Sequence, residues 1–138
     1  MAFNPNQVVL DGFTQHDFAF TMFLAAGHGL TDEELIGRVV ALDATTAATV
    51  KVAGDGDPVY GRIFQVEDRS QEGVVTVTVE TRFRKRVKKA SGTVIARGSS
   101  IVGAGAGLVK AATTADPAKN IVLDGGDSAG NTYVIVEQ

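Results

Sequence analysis

Two histidines, His16 and His28, are the first residues to test for chemistry, because an imidazole serves both as a metal ligand and as a base near neutral pH. Neither HxH nor HxxxH spacing joins them, and the chain has no cysteine to complete a zinc set. Without cysteine there is also no disulfide and no thiolate nucleophile. A serine nucleophile of the strained-turn kind would sit in GxSxG, a pattern the sequence lacks. Asp55 with Asp57, and Asp124 with Asp127, bring carboxylates close in sequence. Neither pair has the spacing of a calcium loop, and Asp with Gly is what tight turns use. Gly103–Gly107 reads GAGAG, which is GxGxG rather than GxGxxG. The LVKAATTADP after it is too short and Thr-rich for the helix that would hold a phosphate. A loop tip is expected there. The chain therefore reads as non-enzymatic, with no metal and no cofactor expected.

One stretch remains with a functional flavour. Six of the eight residues from Arg82 to Lys89 are basic, in a chain of net charge −3 with thirteen Lys and Arg in all. They close the run GVVTVTVETRFRKRVKK, Gly73–Lys89, whose odd positions Val75, Val77, Val79, Thr81, Phe83, Lys85 and Val87 alternate with Thr76, Thr78, Glu80, Arg82, Arg84, Arg86 and Lys88. A period of two rich in β-branched residues predicts one half-buried central strand with a cationic far end. Three roles fit such an end. It can be a guarded sheet edge, since positive side chains discourage edge-to-edge pairing. It can track phosphates as a small nucleic-acid-binding β-barrel, with Phe83 free to stack on a base. It can meet an acidic protein surface, where charge sets orientation and specificity. Net acidity argues against a dedicated nucleic-acid binder.

The elements that must position these cations are legible around it. A length of 138 residues suits one domain, 1–138, and sixteen glycines, three prolines and many Val and Thr favour an all-β class. No apolar run reaches about 18 residues and the N-terminus has no basic-then-apolar leader, so neither a membrane span nor a secretory signal is expected. Thr31 with Glu34 forms a capping-box pattern before a short helical turn that Gly37 stops. RVVALD, TVKVA and VYGRIFQVED read as strands, with Gly54–Pro58 (GDGDP) as a turn. A shorter strand is expected in TVIARGSSIV, and NIVLD with TYVIV makes a last hairpin. Turn signals at this spacing predict an antiparallel sandwich or small, jelly-roll-like barrel with at most short helical turns.

Five of the seven phenylalanines lie in the first thirty residues. Phe18–Leu24 is apolar on both faces and is expected as a core strand covered on two sides. Residues 1–15, with Phe3 and Phe13, read alternatively as an arm that buries its aromatics in a partner.

The segment order resembles the small decoration, or cement, proteins of tailed-bacteriophage heads. The resemblance runs over residues 30–111. It rests on the GRVVAL entry at Gly37, GDGDPVYGR from Gly54 to Arg62, the Val-Glu-Asp before a loop and Val/Thr strand, and the late GSSIVGAGAGLVK. It implies a β-rich protein on the outer surface of the virion capsid that bridges copies of the major capsid protein, typically as a dimer or trimer, after the shell expands. The Phe-rich N-terminus and the heavy basic run stand outside the family pattern. Phe3, Phe13, Arg82, Arg84, Lys85, Arg86, Lys88 and Lys89 are therefore the candidate partner contacts, with no specific nucleic acid and no membrane expected.

Overall fold

The computed structural model describes residues 19–114 and 119–138. Phe3, Phe13, Phe18, His16 and the expected arm lie outside the described residues. The fold is all-β, and five of its strands close a small barrel. These are β1 (Ala19–Leu24), β2 (Val39–Leu42), β3 (Thr49–Val52), β4 (Gly61–Arg69) and β5 (Val74–Glu80), in the order β1-β3-β2-β4-β5. Four of the five seams are antiparallel, while β1 and β3 run parallel through Phe23↔Thr49 and Leu24↔Val50. That parallel seam follows from the chain between the two strands, which includes α1 (Asp32–Leu35) and β2 and so crosses over rather than folding back as a hairpin. In α1 the Thr31 hydroxyl accepts from Glu34 N, and Glu34 Oε2 accepts from Thr31 N at 2.9 Å. Gly37, at φ +86°, turns the chain into β2.

Among the described residues there are two further sheets. One has the order β6 (Arg84–Lys88), β10 (Tyr133–Glu137), β9 (Ile121–Asp124), and the other is the hairpin β7 (Ile101–Gly105) with β8 (Leu108–Ala111). Among the described residues, buried side chains form two clusters. Leu24, Leu35, Val40, Val50, Ile63, Val77 and Val79 make up one, drawn from the barrel strands and α1. The other gathers Phe83, Val87, Ile95, Ile101, Val109, Val122, Val134 and Val136 with Val39 and Ala41. β2 thus serves both clusters, Val40 on one face and Val39 and Ala41 on the other, which is why RVVAL is apolar at consecutive positions. Each fully buried valine is worth about 1.5–3 kcal/mol of transfer free energy.

The expected single strand over Gly73–Lys89 is two strands. β5 ends at Glu80 and pairs with β1 and β4, whereas β6 begins at Arg84 and pairs with β10. The bend at Thr81–Phe83 carries the chain from one cluster to the other. Phe83 and Gln138 exchange backbone hydrogen bonds there at 3.1 and 2.9 Å, and Gln138 Nε2 donates to Tyr60 O and Thr81 O. Parity survives the bend: Val77 and Val79 fill the first cluster, Phe83 and Val87 the second.

Three other expectations change. β1 is not covered on both sides. Leu24 is buried, but Phe20 and Phe23 are 48 % and 46 % exposed. Residues 93–100 form turns rather than strand, held by Ile95 N to Gly126 O and Gly98 N to Val122 O, with only Ile95 of the apolar pair Val94–Ile95 buried. The glycines of GAGAG are largely strand, with the tip at Ala106–Gly107.

Candidate functional site

GAGAG shows first what its glycines serve. Gly103 N donates to Asp57 O at 2.8 Å and Gly107 N to Ala53 O at 3.0 Å, while Gly56 N and Val39 N donate back to Gly103 O and Gly107 O. A Cβ on Gly107 would lie 2.8 Å from Arg38 Cβ and 3.2 Å from Val39 O. Glycine is needed because two backbones meet, and the N–H groups of Gly103 and Gly107 are spent on the protein itself. Three of the four aspartates weighed as metal ligands are similarly engaged. Asp55 takes Lys110 Nζ at 2.5 Å, and Asp57 takes Lys51 Nζ at 3.0 Å with Gly54 N at 2.9 Å. Arg97 donates to Asp124 at 2.8 Å, and that bond holds the Asp124 carboxyl below its ordinary range. His28 Nδ1 accepts from Leu30 N at 3.0 Å. Among the described residues no three His, Asp or Glu side chains converge as a metal set.

The basic run is divided by the fold into unlike parts. Arg84, Arg86 and Lys88 lie on the exposed face of β6, and Arg82 is exposed in the bend before it. β6 is an edge strand: β10 pairs along one side, and the isolated bridge Lys89↔Val109 joins β8 just past its end. Arg84 reaches across the ladder to Glu137 at 3.0 Å. Arg86 and Lys88 make no ion pair among the described residues. Lys85 points the other way, its ammonium 2.5 Å from Glu80 Oε1 and 4.9 Å from the ring centre of Phe64. A half-exposed aromatic under a cation is worth about 0.5–1 kcal/mol.

Two members of the run are not surface groups. Lys89 is 3 % exposed, and its Nζ donates to Thr93 O at 2.5 Å and Ser128 O at 2.6 Å. Its odd position puts it on the face with Val87, so it ties two loops together and leaves the set of candidate contacts. Phe83, 7 % exposed, belongs to the core and is not free to stack on a base.

Sequence spacing missed the residues that flank this edge. Arg62, on β4, faces Glu80 across the β4–β5 ladder, and Nη1 lies 3.2 Å from Oε2. Arg38 donates from Nε to Glu34 O and from Nη1 to Ala106 O, both at 3.0 Å. Each is a lone cation in an apolar stretch, and no local pattern announces that the fold brings both beside β6.

No protein-family model matches the sequence, and no curated protein matches it significantly.

Proposed function

We propose that this chain is a structural binding protein of a tailed-phage head, attached to the outer capsid surface and bridging copies of the major capsid protein as a dimer or trimer. The resemblance over residues 30–111 supplies the phage context. The observation that carries the contact surface is the outward row Arg84, Arg86 and Lys88 on an edge strand of an all-β fold with one short helix. A rigid sheet presents such a row at fixed spacing, so little ordering entropy is lost when an acidic surface docks. A shell packed with DNA is under internal pressure. A clamp across subunit joints adds contact area that must be broken before subunits part, and attachment through several sites at once is hard to lose. Residues 1–15, with Phe3 and Phe13, are the second proposed contact.

The test is co-sedimentation with purified, expanded capsids of the parent phage. The protein is expected to co-sediment and to raise the shell's resistance to heat. Replacing Arg82, Arg84 and Arg86 with Glu is expected to leave the fold intact and lower occupancy. A protein found free in lysates and missing from purified virions ends the reading.

A further inference from the structure

A polar pocket of about 310 Å³ lies where α1 and the start of β4 meet the edge strand β6. Four cations line it: Arg38, Arg62, Arg86 and Lys88. Arg86 and Lys88 share β6, but Arg62 comes from β4 and Arg38 from the segment before β2, so the convergence is a product of the fold. Glu33 and Glu34 also line it, leaving the cations in excess. Glu34 is in part committed, because its side chain caps the Thr31 N–H.

The cations are not equally occupied. Arg62 gives Nη1 to Glu80, while its Nε is buried with no acceptor. Its Nη2 lies against Gly37, where an added Cβ would approach to 3.3 Å. Arg38 is held by two backbone carbonyls, which fix the guanidinium without matching its charge by a carboxylate. Arg86 and Lys88 have no carboxylate partner among the described residues. Beside these cations stand two large apolar groups, Ile36 at 52 % exposure and Tyr133 at 48 %. Arginine and tyrosine beside an exposed aliphatic group is the composition of a protein-binding hot spot.

We infer that this pocket receives an acidic side chain, Asp or Glu, from an extended segment of a partner protein, with a neighbouring apolar residue of that segment resting on Ile36 and Tyr133. Charge complementarity favours a carboxylate over a phosphate chain: with Arg62 paired to Glu80, the cations Arg38, Arg86 and Lys88 stand against Glu33 and Glu34, an excess of one positive charge that suits a single negative group, while the two glutamates repel a polyanion. An arginine guanidinium also matches the planar carboxylate fork. The inference deepens the proposed function by naming the chemistry the partner must offer, and rests on that reading only for the partner's identity.

The test needs no capsid. Protein labelled with ¹⁵N is titrated with a blocked peptide, acetyl-Gly-Glu-Leu-Gly-amide, and with its Gln counterpart, while arginine Nε–H and Tyr133 backbone signals are followed. Saturable shifts at Arg62, Arg86 and Tyr133 are expected with the Glu peptide. The Gln peptide and the Arg86→Ala variant are each expected to bind at least about tenfold more weakly, since a charge-assisted bidentate pair is worth more than a factor of ten. Inorganic phosphate and an oligothymidylate are titrated in parallel. Tighter binding of either at the same signals overturns the carboxylate assignment, and absence of any saturable shift overturns the pocket. Neither result alters capsid co-sedimentation, so the two readings fail separately.

Discussion

Glu80 divides its carboxylate between Arg62 and Lys85: Oε2 lies 3.2 Å from Arg62 Nη1 and Oε1 lies 2.5 Å from Lys85 Nζ. Arg62 belongs to the barrel and Lys85 to the edge strand, so one acidic residue ties the barrel to the sheet that carries the basic row. The Arg62 and Glu80 side chains are only 16 % and 15 % exposed. Glu80→Ala leaves a mostly buried guanidinium unpaired and is expected to cost about 2 kcal/mol, less than a fully buried pair because Lys85 reaches solvent. A urea titration of E80A, R62A and the double variant measures it. Additive losses would show that the pair is not coupled.

Lys89 is expected to behave as a structural residue. Lys89→Ala removes the donor for two carbonyls, Thr93 O and Ser128 O, and is expected to lower stability by about 2–3 kcal/mol. Arg84→Ala, one of the outward row, is expected to change it by less than about 0.5 kcal/mol. Thermal unfolding of the two variants side by side checks the contrast, and equal midpoints would put Lys89 back among surface cations.

Gly61 tests the packing where β4 enters the barrel. An added Cβ would sit 2.5 Å from Val79 Cγ1 and 2.6 Å from Glu80 O, and a backbone oxygen cannot swing aside as a side chain can. Gly61→Ala is expected to destabilise by about 2–3 kcal/mol through overpacking. A denaturation midpoint within error of the parent would mean that the β4–β5 ladder yields more readily than its spacing implies.

Asp57 gives a dependence on pH. Its carboxyl is held below the ordinary value by the Gly54 N–H and then by Lys51, against a smaller opposing effect of burial. A group whose pKa is lower folded than unfolded stabilises the fold at neutral pH, and that contribution fades as acid protonates the folded carboxylate. Asp57→Asn is therefore expected to be less stable than the parent near pH 7, with the gap closing below about pH 4. Urea midpoints across that range give the two curves, and a gap that widens in acid would reverse the assignment.

Local pattern determined much of this protein. Thr31 and Glu34 announced their capping box, because both halves of it lie within one turn. NIVLD and TYVIV announced a hairpin, and period two correctly marked Val77, Val79 and Val87 as buried. The same period hid the break in the 73–89 run. Thr81–Phe83 turns the chain without inserting a residue, so alternation continues while the hydrogen-bonding partners change from β1 and β4 to β10.

What the tertiary structure alone decided is which cations face outward and what stands beside them. Lys85 and Lys89 share the parity of Val87, and only packing shows that one finds Glu80 and the other two loop carbonyls. The pocket's cations come from distant parts of the chain, and no spacing rule brings Arg38, Arg62 and Arg86 together. Side-chain direction is a local property, set by the pleat. Neighbourhood is not, because it depends on how a closed barrel and a separate sheet are stacked on the two faces of β2.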